Sequence, residues 1–396
     1  MNPFMQQLNP YPFARLRALM RDVQVSEHLN PIMLQIGEPK HATPQVIQDA
    51  LVQNLDGLSK YPASKGIDAL RESCSAWLKR RYDILVDANT QILPVNGSRE
   101  ALFSFVQVVL DAQSVEKPVV ISPNPFYQIY EGATFLAGGE VVYVNCEAPN
   151  FMPDWKTIDT ATWQRTQLVF VCSPGNPSGA VMQLEDWQEL FALQDQYGFV
   201  IASDECYSEI YFGDNAPLGS LQAASMLGRS WDDLVMFTSL SKRSNVPGLR
   251  SGFVAGDAKW MAAFLEYRTY HGSAMGISVQ HASIAAWNDE KHVEENRALY
   301  QQKFEQVVAL LQDAYEVSIP DASFYIWLKV PDGDDARFAQ RLWAEQAVQV
   351  LPGHLLARDT VHGNPGAGYI RIALVANVDE CVEAAKRLLT FAQSFA

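Results

Sequence analysis

LVMFTSLSKRSNVPGLRSGFVA, Leu234 to Ala255, sets two short apolar runs, Leu234–Thr238 and Gly252–Ala255, around a serine-rich loop with one lysine near its start and one arginine near its end. Apolar β-branched runs of this length read as buried strands. The same kind of run recurs upstream at Ile92–Val95, Val119–Ser122, Val141–Val144, Leu168–Cys172 and Phe199–Ser203. Several are followed by helix-like stretches such as Glu100–Leu110 and Leu184–Tyr197. Near-continuous apolar strands alternating with helices predict an α/β chain with a mostly parallel, seven-stranded sheet covered on both faces.

The rest of the chain reads differently. His292–Ala314 is a long charged helical pattern, Ser323–Val330 and Tyr369–Leu374 read as strands, and Val378–Ala396 as a closing helix. These predict a smaller α+β domain beyond a long helix near residue 285. The first 30 or so residues hold four prolines, Pro3, Pro10, Pro12 and Pro31, and read as an arm with one short helix packed on that smaller domain. The expected division is 1–35 for the arm and part of the small domain, 36–285 for the large domain and 286–396 for the small one.

Composition narrows the partners. The 396 residues are 48% apolar and 19% charged, a balance that suits a packed core. A net charge of −15 repels phosphate backbones and anionic lipid, so neither nucleic acid nor membrane is an expected partner. The five cysteines are scattered and form no C-x-x-C pair, which argues against a disulfide framework and a metal site. No signal-peptide core and no stretch of about 20 apolar residues is present, so the cytoplasm is the expected compartment.

In open α/β sheets, ligands bind beyond the carboxyl ends of the strands. Ile92–Val95 leads into Asn96-Gly97-Ser98-Arg99, and Val119–Ser122 leads into a loop containing Tyr127. Leu168–Cys172 leads into Ser173-Pro174-Gly175-Asn176-Pro177, and Phe199–Ser203 into Asp204-Glu205-Cys206-Tyr207. Leu234–Thr238 leads into Ser239-Leu240-Ser241-Lys242. One sheet edge would thus collect phosphate donors, aromatics, an amide, a carboxylate and a lysine, the inventory that pyridoxal phosphate (PLP) requires. Ser98 and Arg99 open a helix, whose free N–H groups favour an anion, although on its own Ser98 reads better as a helix cap. Ser239, Ser241 and Arg250 can add donors to the same phosphate. Asp204, ending a buried strand, can face a protonated pyridine nitrogen, or it can be a turn residue. Tyr207 and Asn176 suit a phenolic oxygen and Tyr127 a ring face; core aromatics and a turn former are the plain alternatives. Arg371, inside the apolar run Tyr369–Leu374, needs a partner, and a substrate α-carboxylate is a good bidentate one. Gly37 could let a backbone N–H approach the same carboxylate.

These residues carry a resemblance. SLSKRSNVPGLRSG (Ser239–Gly252), SPGNPSG (Ser173–Gly179), SDECYSEI (Ser203–Ile210), NGSRE (Asn96–Glu100) and YIRIAL (Tyr369–Leu374) resemble the class I/II aminotransferases, the fold-type I PLP enzymes. The resemblance implies that Lys242 carries the cofactor covalently and moves the substrate proton, with Asp204 and Tyr207 beside it. It implies PLP contacts from Ser98, Arg99, Tyr127, Asn176, Ser239, Ser241 and Arg250, and substrate contacts from Gly37, Asn176 and Arg371. It also implies a homodimer with shared sites, in which Tyr61 reaches the neighbour's cofactor phosphate. Within the family, LQIGEPKHATP (Leu34–Pro44), RTYHGSAM (Arg268–Met275) and AAWNDEKHVEENRALY (Ala285–Tyr300) are most similar to bacterial succinyldiaminopimelate transaminases. One departure is Gly276-Ile277, where that group implies a proline-containing turn.

A succinylated substrate has a second carboxylate far from the reacting carbon, so its pocket should offer a cation. Lys40, or Arg268 from the other chain, is the candidate; each is also an ordinary surface residue by default. Rival readings on the same fold are an aminotransferase for aspartate, an aromatic residue or kynurenine, and a C–S lyase. A non-catalytic PLP-binding regulator would need a DNA-binding module, for which this acidic chain shows no candidate.

Overall fold

The computed structural model describes residues 1–394. The apolar runs form one sheet of β1 (Ile92–Val95), β2 (Val119–Asn124), β3 (Glu140–Asn145), β4 (Thr166–Cys172), β5 (Val200–Asp204), β6 (Leu234–Ser239) and β7 (Gly252–Gly256). Their spatial order is β1-β7-β6-β5-β4-β2-β3. Strands β2 to β6 pair in parallel. Only β7 is reversed, antiparallel to both β6 and β1. It lies close to β6: a Cβ on Gly252 would fall 2.3 Å from the Thr238 carbonyl oxygen.

Neighbouring residues of one strand serve opposite faces. Val169 and Ile201 join a core with Trp77, Trp187 and Phe253. Phe170 and Ala202 join the core on the other face, with Phe105 and Phe237. Both faces are covered by helices, which is why the strands read as unbroken apolar runs and not as alternating ones.

The smaller unit is a three-stranded antiparallel sheet of β8 (Tyr325–Lys329), β9 (Leu351–Pro352) and β10 (Tyr369–Ala373), ordered β9-β10-β8. Its core takes Phe338 and Leu388 from the helices Asp335–Gln346 and Val378–Ala392. The closing helix, expected to reach Ala396, ends at Ala392; Gln393 and Ser394 form a turn, and residues 395 and 396 lie outside the described ones. Leu16, Met20, Ile32 and Leu34 belong to the same core. Ile32–Met33 also pairs in parallel with Val348–Gln349, so the start of the chain completes the smaller unit.

A further expectation needs correction. The arm is divided between the two units. Its first turn, Pro3–Gln7, lies against the helix Ile129–Leu136 of the large unit, and only the following helix, Pro12–Leu19, reaches the small one. The helix expected near residue 285 is Ile277–Asn288, and the charged pattern from His292 forms a separate helix, Lys291–Leu311. Asp289 is extended between them, and its carboxylate accepts the backbone N–H of His292 at 3.0 Å. That cap starts a new helix and turns the chain. Gly276-Ile277 opens the first of these helices, where Ile277 packs on Gly57.

Among the described residues, no helix is long and apolar enough to cross a membrane.

Candidate active site

The carboxyl ends of β4, β5 and β6 open on one edge of the large sheet, and the smaller unit closes over it. Between them lies a cavity of about 450 Å³, within the roughly 300–1,000 Å³ usual for small-molecule sites. Gly37, Ser98, Arg99, Tyr127, Asn176, Asp204, Tyr207, Ser239, Ser241, Lys242, Arg250 and Arg371 all line it.

Lys242 sits in a one-turn helix, Leu240–Arg243, directly after β6. The hydroxyl of Ser239 accepts the N–H of Ser241 at 3.1 Å and donates to the Ser251 carbonyl at 3.0 Å, which fixes the turn. The Lys242 amine donates to the Gly37 carbonyl. Burial lowers its pKa to about 8; Arg371 pushes the same way and Cys206 opposes. About a tenth of the amine is therefore unprotonated, and so nucleophilic, at pH 7, far more than at the ordinary lysine value.

Asp204 ends β5 and is buried. Tyr130 donates its hydroxyl to one carboxylate oxygen at 2.7 Å, and the Cys206 N–H reaches the other at 3.3 Å. No ion pair involving Asp204 occurs among the described residues, and burial raises its pKa. A buried carboxylate without a counter-ion beside an open cavity is set to receive a cation.

At the opposite wall, Gly97 takes φ +81° before the helix Ser98–Val109. A Cβ there would fall 2.5 Å from Arg250 Nη2. Glycine thus lets the helix N-terminus and a guanidinium meet, which makes an anion cradle. The Ser98 hydroxyl accepts from the Cys206 thiol at 2.9 Å. The Arg99 side chain turns aside, donating through Nε to the Tyr127 hydroxyl at 2.6 Å.

The smaller unit supplies Arg371 from β10. It is buried and donates to Asn176 Oδ1 and to the Gln35 carbonyl, each at 2.9 Å. Its Nε has no hydrogen-bond partner among the described residues.

Two residues of this site escaped the sequence. Tyr130 orients Asp204 while stacking on Phe170 at 4.3 Å. Tyr325 pairs its hydroxyl with that of Tyr207 at 2.9 Å and lies under the Arg371 guanidinium, 4.4 Å from the ring centre. It also explains Gly37, where a Cβ would fall 1.9 Å from the Tyr325 hydroxyl. Both look like core aromatics in sequence, and no local signal separates them from the others.

Three predicted positions lie elsewhere. Tyr61 is fully exposed on the loop after Leu55–Ser59. Lys40 is exposed outside the cavity lining, and its charge acts on Lys303. Arg268 is wholly buried, paired with Glu100 at 2.5 Å and bonded to the Ser273 carbonyl at 3.2 Å. Its guanidinium is committed inside the fold, which corrects its reading as a substrate contact.

The family model for aminotransferase class I and II matches residues 30–388. The LL-diaminopimelate aminotransferase of Desulforudis audaxviator is 33% identical over 389 residues, covering 97% of this chain and 95% of that protein. The crystal structure of an aminotransferase from Neisseria meningitidis is 63% identical, with a TM-score of 0.97 over 99% of this chain and 100% of that one. A probable N-succinyldiaminopimelate aminotransferase from Thermus thermophilus shares the fold at 24% identity and TM-score 0.83, over 96% and 99% of the two chains. The chain belongs to the class I and II aminotransferases, which use pyridoxal 5′-phosphate. The cavity fits that cofactor: it offers a buried carboxylate lacking a cation, an anion cradle at Gly97, and a lysine with a lowered pKa.

Proposed function

We propose that this aminotransferase transfers the amino group of glutamate to N-succinyl-2-amino-6-oxopimelate, giving N-succinyl-LL-2,6-diaminopimelate for diaminopimelate and lysine synthesis. One observation carries the reading. Three guanidinium groups, of Arg99, Arg250 and Arg371, line one cavity, and none has a carboxylate partner among the described residues. Cations gathered in a partly desolvated site call for anions. A cofactor phosphate and an α-carboxylate answer Arg250 and Arg371. Arg99 then favours a substrate with a second carboxylate, as glutamate and the succinylated keto acid both have.

When bound, the cofactor supplies the electron sink that makes an α-proton removable. Lys242 would anchor it; once displaced by the incoming amine, its free amine would take the proton from the substrate α-carbon and pass it on within the same half of the cycle, and would run that transfer in reverse in the second half. Asp204, held by Tyr130, would keep a proton on the pyridine nitrogen. Tyr207 and Asn176 would donate to the phenolic oxygen, and Tyr127 would serve the ring. Ser98, Ser239, Ser241 and Arg250 would hold the phosphate. Arg371 and the Gly37 peptide orient the α-carboxylate. Tyr61, exposed as it is, would complete the phosphate site of a second copy in a homodimer.

A second reading is favoured by the Desulforudis relative, whose name specifies unacylated LL-diaminopimelate. Both substrates carry a carboxylate at the far end; beside it stands a free amine in one and a succinyl amide with a third carboxylate in the other. Glutamate-dependent amination across a panel of keto acids decides. The expectation is a kcat/KM for the succinylated keto acid at least about tenfold above oxaloacetate, aromatic keto acids and the unacylated compound, a gap of about 1.4 kcal/mol. Preference for any of those sinks the proposal.

A further inference from the structure

Two of the stretches that carry the resemblance, LQIGEPKHATP and AAWNDEKHVEENRALY, meet behind the cavity through residues to which no role has yet been given. Asn296 lies on the helix Lys291–Leu311 and is buried. Its Nδ2 faces the backbone carbonyls of Lys242 and Arg243 at 3.4 and 3.5 Å. Its Oδ1 accepts from Asn245 Nδ2 at 3.0 Å and also meets His41 Nδ1 at 2.6 Å.

An amide oxygen can only accept, so His41 Nδ1 carries the hydrogen. That leaves Nε2 as an acceptor, and Lys303 Nζ donates to it at 2.6 Å. Lys303 also donates to the Leu374 carbonyl at 3.0 Å, one residue past the strand that carries Arg371. Lys303 is wholly buried, with no carboxylate bonded to it among the described residues. Burial lowers its pKa; Lys40 adds to that, while Cys381 and Glu380 oppose it. Burial and the Lys303 charge lower the pKa of His41 too, so its ring is neutral and its two nitrogens keep distinct jobs. The ring packs on Tyr300, with 4.6 Å between centres.

His41 lies four residues beyond Gly37, the carbonyl that receives the Lys242 amine. Asn296 meanwhile holds the backbone of Lys242. The lysine is gripped at both ends, and His41 joins the two grips.

We propose that His41, clamped between Asn296 and Lys303, is a positioning residue for Lys242: it fixes the Gly37 peptide against the turn that carries the lysine. The inference rests on Lys242 being the proton carrier, as proposed above. It concerns placement only; His41 touches neither substrate nor cofactor.

The test compares holoenzyme carrying His41→Ala with His41→Gln, whose side-chain amide keeps one donor and one acceptor. Three quantities are read: the pH midpoint of the bound-cofactor absorbance change, the isotope effect with α-deuterated glutamate, and the thermal midpoint of the cofactor-free protein. For His41→Ala, the spectral midpoint should move by roughly one pH unit. The isotope effect should rise about twofold and turnover fall about tenfold, with KM for glutamate within about threefold. His41→Gln should recover most of each. A spectral midpoint and isotope effect unchanged in His41→Ala, whatever its thermal midpoint, would overturn the proposal, as would a His41→Gln variant no better than His41→Ala. If the wild-type protein does not react with glutamate, the donor reading fails, and the spectral midpoint still decides the role of His41.

Discussion

Asp204→Asn should stabilise the cofactor-free protein and cripple the loaded one. In the cofactor-free fold the carboxylate is buried beside the open cavity, with Tyr130 and the Cys206 N–H as its donors and no counter-ion among the described residues. Burial raises its pKa above the unfolded value. The sign follows: folding is undisturbed below the unfolded pKa, near 3.8, and stability is lost as pH rises through the folded one. Asparagine removes the charge at nearly equal volume. It weakens the Tyr130 bond from a charged to a neutral one, a loss of about 1 kcal/mol. It also relieves the burial of an unpaired ion, an effective cost of several kcal/mol. The net gain should be roughly 1–3 kcal/mol at pH 8, seen as an apparent Tm higher by about 2–5 °C. That gap should close toward pH 4. In the loaded enzyme the same substitution removes the partner of the pyridine nitrogen, and breaking a buried pair costs about 3–5 kcal/mol, or roughly 150- to 5,000-fold in kcat/KM. Thermal melts of both proteins from pH 4 to 8, with and without added cofactor, make the comparison. A cofactor-free Asp204→Asn that melts below wild type at pH 8 would refute the charge argument, and full activity would refute the role.

Three further outcomes are expected. In cofactor-free protein, trapping of Lys242 by a small aldehyde and borohydride, read by mass spectrometry, should rise with pH and level off above about 8; a plateau only near the ordinary lysine value would mean that burial does not tune this amine. Mixing inactive Lys242→Ala chains with an inactive Tyr61→Ala variant should restore part of the activity, because only a heterodimer holds one site with both residues intact; no recovery despite proven subunit exchange places Tyr61 outside the neighbour's site. Arg268→Ala should destabilise the fold by about 3–5 kcal/mol, since it leaves Glu100 without its buried partner, while Lys40→Ala leaves stability and both KM values within about twofold; a selective rise in KM for the succinylated substrate in either variant would restore its reading as a substrate contact.

The large sheet was legible because parallel strands buried on both faces leave unbroken apolar runs, and their loops can be read one after another for polar residues. Ser98, Asn176, Asp204 and Lys242 each follow such a run, and the fold brings them to one cavity. Arg371 was legible for a different reason: a cation in an apolar strand demands a partner. What escaped has no periodic trace. Asp204 owes its orientation to Tyr130, 74 positions away, and Arg268 owes its burial to Glu100, 168 away. A lysine, arginine or histidine shows nothing in sequence of whether it meets a substrate or a carbonyl, and Arg268 was misread on that account.

The break at Asp289 separates two helices, the second of which was legible from the charged pattern that begins at His292; a capping aspartate is a local signal as well. The break matters for chemistry, because it sets the direction of the helix that carries Asn296 and Lys303. Asp289 also meets His292 Nδ1 at 2.6 Å, and His292 Nε2 meets the Ser244 hydroxyl at 2.8 Å, two residues past Lys242. The lysine's position therefore depends on a cap far downstream of it in the chain, and Asp289→Ala should disturb cofactor absorbance as well as stability. The measurement is the bound-cofactor spectrum of a variant that remains folded: a shifted pH midpoint is expected, and an unchanged one would show that Asn296 keeps its place without the cap.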